Sequence, residues 1–194
     1  HALDNYLPKL VRAGHRVAIC DQLEDPKSTR TVVKRGVTEV VTPGVNFSDH
    51  VLDQCENNWL AAICGQGGRY GIAFLDVTTG DLLVAEDDQE QVVKLMDGHG
   101  PKEVLLPRGS KDVFLAEQLA RSTAFALEEW AFTEEFARER LLRQFGTLSM
   151  KGFGVEDLKL GQRAAGAVLH YLGETCHDRI AHIRSIALIA TPMW

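Results

Sequence analysis

The fold is decided by residues 58–86, NWLAAICGQGGRYGIAFLDVTTGDLLVAE. Three apolar runs, at 58–64, 70–77 and 81–86, are separated by a glycine-bearing stretch at 65–69 and by Thr78-Thr79-Gly80. Connections this short cannot carry a crossover, so they force neighbouring strands to run antiparallel. The pattern therefore predicts a three-stranded antiparallel meander.

Downstream the pattern changes to alternation: a helix at about 88–97, a strand at 103–106, a helix at 111–120 and a strand at 123–127. Strands reached through helical crossovers are most simply parallel, and here they extend the meander at its edge. An antiparallel meander continued by parallel strands, with helices on both faces, is an α/β arrangement of the ribonuclease H-like kind. A flavodoxin-like sheet fits less well because the meander comes first. Two further helices are predicted. The first spans 134–145, with Thr133 as its cap, Ala137, Leu141 and Phe145 as its apolar stripe and Gly146 as its stop. The second, at about 160–177, buries Leu160, Ala164, Ala167, Val168 and Tyr171, and its small residues allow close approach to the sheet. The loop at 146–154 carries Phe153 as a plug.

Upstream, Leu3, Leu7, Leu10 and Val11 form one helical face over 2–13, and Gly14 stands where a left-handed residue ends a helix. Pro8 conflicts with this helix, since an interior proline removes a hydrogen bond. A strand at 16–20, a loop at 21–31 turning at Asp25-Pro26, and an extended β-branched run at 31–42 follow. Gly36 is expected as a bulge or bend, and Pro43-Gly44 closes the run. One helix and two strands are too few to fold alone. Residues 1–45 therefore read as the tail of a partial α+β domain, joined by a linker at 46–57 to the unit at 58–178.

The chain has 194 residues and a net charge of -6, unevenly spread. Residues 1–50 hold seven Lys/Arg against six Asp/Glu, whereas residues 51–100 hold two against nine. Nucleic-acid contact is therefore expected only towards the N-terminus. Lys27, Arg30, Lys34 and Arg35 put four cations in nine residues with no acid among them. They read equally as a solvated face or as a phosphate-positioning strip. A mismatch-reading aromatic wedge has only Tyr6 to draw on in residues 1–45, and the apolar helix face accounts for it. Cys20, Cys55, Cys64 and Cys176 lack metal-ligand spacing, and Cys20 and Cys64 end apolar runs. All four read as free, buried thiols in a reducing, cytoplasmic compartment. No apolar run approaches the ~20 residues of a membrane helix, so no membrane partner is expected.

Catalytic constellations are weak. A two-metal nuclease on this fold needs an acid on the first strand, and the run Leu60–Cys64 has none. Asp76 and Asp81 flank a tight turn, where aspartate serves turn chemistry. His170, Glu174, Cys176, His177, Asp178 and His182 are the only group with a metallic look, and no three form a familiar zinc set. Nothing in the sequence poises Cys176 as a nucleophile. Gly65–Gly68 and Gly152–Gly154 match neither a phosphate-binding loop nor a dinucleotide fingerprint.

Several segments resemble the bacterial MutS mismatch-repair family. They are residues 4–26 (DNYLPKLVRAGHRVAICDQLEDP), 40–44 (VVTPG), 58–63, 75–80 (LDVTTG), 144–154 with its QFGT and GFG elements, and 182–186 (HIRSI). The resemblance covers residues 1 to about 186. It implies that 1–45 end a mismatch-recognition domain, that 58–178 form the connector domain, without nuclease acids, and that the core and lever region starts at about 179–194. It also implies that the family's Phe-x-Glu mismatch reader precedes residue 1 and that its nucleotide-binding loop follows Trp194. Arg35 matches a basic position of the recognition domain, while Glu39 stands where the family member compared carries another basic residue. The ending ALIATPMW (187–194) departs from the family's polar lever start.

On this resemblance the whole protein is a dimeric, DNA-dependent ATPase. It uses ATP and Mg, binds mismatched double-stranded DNA and recruits MutL. The present piece is expected to be non-catalytic and to hold no cofactor or metal of its own. Its expected roles are to couple mismatch binding to the ATPase and to help dock MutL. Glu135, Arg138, Glu139 and Arg143, on the polar face of the 134–145 helix, are the expected docking residues. A free-standing ribonuclease H-like enzyme and a generic α/β interaction module are the alternatives.

Overall fold

A computed structural model describes residues 2–24, 32–45, 58–121, 123–176 and 180–189. The meander is present: β3 (Trp59–Gln66), β4 (Arg69–Asp76) and β5 (Leu82–Asp87) pair antiparallel in sequence. Between β3 and β4, Gln66 pairs with Arg69 across a two-residue turn in which Gly67 and Gly68 have φ of 62° and 78°, the positive values this tight a hairpin requires. Helix α2 (Gln89–His99) leads to β6 (Glu103–Pro107), and α3 (Val113–Leu119) leads to β7 (Ala124–Leu127). Both strands run parallel on the β3 side. Asp88 and Asp112 cap α2 and α3 by accepting from the amides of Gln91 and Leu115.

The strand order is β7-β6-β3-β4-β5-β8. The last of these is a finding the sequence did not suggest. β8 (Ile186–Leu188) pairs parallel to β5, with Leu82 opposite Ile186, and Ile183 and Ile186 are buried. A three-residue strand is too short to show a period of two. The sheet thus continues beyond residue 178 and takes in the start of the ALIATPMW tail.

Each sheet face has its own core. On one, Leu60, Ala62, Cys64, Ala73, Leu75 and Leu105 meet α4 (Glu134–Phe145) and α5 (Lys159–Thr175). On the other, Ala61, Ile63, Ile72, Phe74, Val104 and Leu106 meet Val92 and Met96 of α2 and Phe114 and Leu115 of α3. This double coverage explains why β3 reads as a continuous apolar run rather than an alternating one. α5 lies very close to β4: a Cβ built on Gly71 would collide with the Leu160 carbonyl. The five residues predicted for the buried face of α5 are all buried. Its N-terminus has no side-chain cap of its own. Instead Glu86, from β5, accepts from the amides of Leu160 at 2.9 Å and Gly161 at 3.4 Å.

Several local expectations are corrected. Thr133 stands at the N-cap of α4 but makes no capping bond, because its hydroxyl donates to the Trp130 carbonyl at 2.9 Å. Gly146 does stop that helix, at φ 61°. Phe145 is only half-buried, 5.1 Å from the ring of Phe153.

The N-terminal unit is small: α1 (Ala2–Arg12), then β1 (Val17–Gln22) paired antiparallel with β2 (Arg35–Val41). Pro8 lies inside α1, and Gly14, at φ 86°, follows its end. The bulge falls at Thr38 rather than Gly36. The register steps from Ile19 opposite Glu39 to Cys20 opposite Val37, and the Thr38 hydroxyl lies 2.9 Å from Asp21 Oδ2. Only Leu7 and Val11 of the predicted helix face are buried, with Val41 opposite, while Leu3 and Leu10 are exposed. Tyr6 is 64% exposed, so the apolar face does not account for it. Cys20 is exposed, not buried, because this two-stranded ribbon leaves one face to solvent. Cys64 and Cys176 are buried as expected, and Cys55 lies outside the described residues.

Candidate functional site

The end of β2 and the turn after it pack against the larger unit, although β2 pairs only with β1. Val41, Thr42, Gly44 and Val45 are all buried, and Val45 belongs to the α5-side core. The turn is self-braced: the Thr42 amide donates to the Val45 carbonyl and the Val45 amide to Thr42 Oγ1, each at 3.0 Å. Its partner is Glu103, the first residue of β6, which is 3% exposed. One carboxylate oxygen of Glu103 accepts from the Thr42 hydroxyl at 2.6 Å and the Gly44 amide at 3.3 Å. The other accepts from the Tyr171 hydroxyl, on the last turn of α5, at 2.7 Å.

Three donors converge on one carboxylate, so the acid is held as an acceptor and the phenol as a donor. Burial first, then the charge of Glu103, pushes the Tyr171 hydroxyl well above its ordinary range, which keeps its proton in place. Hydrogen bonds to a charged group contribute about 1.5–3 kcal/mol each, and an unpaired buried carboxylate would be strongly destabilising. Gly44 is required by the close approach: a Cβ there would lie 2.7 Å from Glu103 Cβ. Arg16, just before β1, adds a second tie. Its guanidinium lies 3.6 Å from the Phe125 ring centroid and 5.2 Å from that of Tyr171, a cation–π arrangement worth about 0.5–2 kcal/mol.

Beyond α5 the exit segment is also fastened. Gln144 Nε2, on α4, donates to the carbonyls of Ile180 at 2.8 Å and Ile183 at 2.9 Å. A ring nitrogen of His182 lies 2.8 Å from the Val77 carbonyl.

The residues singled out from sequence are placed differently. Lys27 and Arg30 lie outside the described residues. Lys34 and Arg35 are exposed at the open end of the β1–β2 ribbon, away from the joint. Lys34 is accompanied by Glu24, whose carboxylate lies 3.9 Å from its Nζ and 3.5 Å from its amide. On α4, Glu135, Glu139 and Arg143 are exposed. Arg138 is engaged by Glu156 at 3.2 Å, and Glu156 also accepts from the Met150 amide at 2.7 Å. Arg138 therefore braces the 146–156 loop rather than standing open.

The turn reading of Asp76 holds: its Oδ1 accepts from the amides of Thr78 and Thr79. His170 packs edge-on against Trp130 and Phe136, and burial lowers its basicity. His177 and Asp178 lie outside the described residues, and among those described no three His, Cys, Asp or Glu side chains form a metal-sized group. Burial pushes the Cys64 thiol up to about 12, the opposite of a poised nucleophile.

Sequence reasoning missed Arg16, Thr42, Glu103 and the polar role of Tyr171. A usable signal was present: a glutamate heading an apolar strand and a tyrosine on a buried helix face both require polar partners. Pairing the two needed the topology.

A family model described as MutS domain II matches residues 58–184, and one described as MutS domain I matches residues 1–50. The DNA mismatch repair protein MutS of Cytophaga hutchinsonii is 53% identical over 186 residues, covering 96% of this chain and 22% of that protein. The protein of the same name from Bacteroides thetaiotaomicron is 54% identical over 189 residues, 97% of this chain and 22% of its own length. That of Flavobacterium johnsoniae is 52% identical over 190 residues, 98% and 22% respectively. The chain thus spans about 22% of the length of the curated relatives it matches.

Proposed function

The chain belongs to the MutS family, and on that premise we propose that it is the coupling piece of an ATP-dependent DNA mismatch-recognition protein. Residues 1–45 end the mismatch-recognition domain, 46–57 link, and 58–178 form the body of the connector, whose sheet β8 completes as the chain passes into the core and lever region. The connector is a ribonuclease H-like unit put to mechanical use. Support comes from the order β7-β6-β3-β4-β5, in which a meander is extended by parallel strands beside its first member, and from the absence of any acid within β3. The whole protein binds mismatched duplex as a dimer, uses ATP with Mg, and engages MutL through the exposed face of α4 that carries Glu135, Glu139 and Arg143. As to membranes, no helix among the described residues is long and apolar enough to cross one.

The observation that carries this proposal is the buried joint. A pure carrier of DNA contacts needs no charged group sealed between its ribbon and its sheet. A part that must hold one domain at a fixed angle to another does, because hydrogen bonds fix direction where apolar packing does not. Two experiments on the full-length protein test it. Gln144→Ala releases the exit segment from α4 and should lower mismatch-stimulated ATP turnover while leaving mismatch affinity unchanged; undiminished stimulation contradicts coupling. Reversing Glu139 and Arg143 should weaken MutL binding at unchanged mismatch affinity, and intact MutL binding removes the docking role.

A further inference from the structure

We infer that Glu103 is the positioning residue through which the orientation of the β1–β2 ribbon is imposed on α5, and that Tyr171 is the point where α5 receives it. The inference rests on the coupling role proposed above and narrows it to one carboxylate. Each oxygen of Glu103 faces a different part of the molecule: Oε2 takes Thr42 and Gly44 from the ribbon, and Oε1 takes Tyr171 from the helix. The two parts share no other buried carboxylate among the described residues. α5 is 17 residues long, about 25 Å, and is pressed against β4 where Gly71 admits the backbone of Leu160. It has no room to shift there, so movement of the ribbon reaches its other end, at Tyr171. That end leads to the segment that Gln144 holds at Ile180 and Ile183.

Donor geometry separates the contributions. Thr42→Val removes the hydroxyl that serves both Glu103 and the Val45 amide, whereas Thr42→Ser keeps it. Tyr171→Phe removes one hydroxyl and leaves the ring against Phe125 and Arg16. Neither side chain belongs to the exposed strip at Lys34 and Arg35 that is the candidate for phosphate contact.

The test uses the full-length protein and a mismatched duplex. For T42V and Y171F the expected result is mismatch affinity within about twofold of the parent, with mismatch stimulation of ATP turnover reduced about fivefold or more. T42S should restore stimulation. T42V/Y171F together should cost no more than the worse single change, because both act through the same carboxylate. Thermal unfolding checks that each variant is folded, and T42S supplies the informative comparison if T42V is not. Full stimulation in folded T42V and Y171F overturns the assignment to Glu103. If Gln144→Ala lowers stimulation in that case, the connector couples by another route; if Gln144→Ala is also silent, the coupling role itself falls.

Discussion

The two parts of this chain are built on different principles. The sheet unit has a core on each face, with Phe74, Ile63 and Ile72 fully buried on one and Leu60, Leu75 and Leu141 on the other. Among its described residues the ribbon unit buries only Leu7, Val11 and Val41 in a core of its own, and it exposes Leu3, Tyr6, Leu10, Leu23 and Val37. Its other buried residues, Thr42, Gly44 and Val45, pack against the sheet unit and are held by Glu103. The sheet is stable by packing, whereas the ribbon is located by a charged hydrogen-bonded contact. A small element fixed in this way can be rigid in direction without being stable alone.

The contrast can be broken most severely in the cores. Phe74→Ala should cost about 3–5 kcal/mol, the range for emptying a large aromatic site, while Leu7→Ala should lie near 2 kcal/mol because that site is shallow and can collapse. Equal losses in denaturant unfolding would erase the distinction. Glu103→Ala should come next, at roughly 2–4 kcal/mol, since it strands the Thr42 hydroxyl, the Gly44 amide and the Tyr171 phenol at about 1 kcal/mol or more each. A loss below about 1 kcal/mol would show that the joint is not sealed.

A third effect is pH-dependent. The Cys64 thiol moves from 9.0 to about 12 on burial. Below pH 9 it is protonated in both the folded and the unfolded chain, and its contribution to stability is intact. Between pH 9 and about 12 the unfolded thiol ionises first, and stability falls by about 1.4 kcal/mol per unit. Cys64→Ala should flatten that part of the curve. Correspondingly, Cys20 should react with an alkylating reagent in the native protein while Cys64 does not; labelling of Cys64 at the same rate would contradict its burial. The smallest effect belongs to the ribbon surface. Lys34→Ala should change stability by less than about 0.5 kcal/mol, as an exposed pair at 3.9 Å implies.

How much of this was legible in sequence follows the same divide. The meander, both parallel strands and the buried face of α5 could be read because their apolar periodicity is imposed locally by the two cores. The ribbon was misread in detail. With little burial to enforce a pattern, Cys20 and Tyr6 turned outward although each adjoins an apolar residue, Ile19 and Leu7, and the bulge fell at Thr38, where a hydroxyl could use it, rather than at Gly36. β8 was invisible because three residues give no period and its partner β5 lies about a hundred positions earlier. The joint escaped for a related reason. Thr42, Glu103 and Tyr171 are separated by 61 and 68 residues, and no local signal links them. Thr133 shows the limit of local chemistry: the right residue sits at the cap and bonds elsewhere.

The most direct test of the account is amide hydrogen exchange across the full chain, comparing Gly44 and Val45 with the centre of β3 and with the ribbon amides of β1. If the joint ties ribbon end to sheet, Gly44 and Val45 exchange as slowly as Ala61–Ile63 and only through opening of the sheet, and Glu103→Ala brings them to the rate of β1. Fast exchange at Gly44 and Val45 in the unmodified protein, with β3 still protected, would mean that the ribbon opens independently and that the sheet cannot be carrying its orientation.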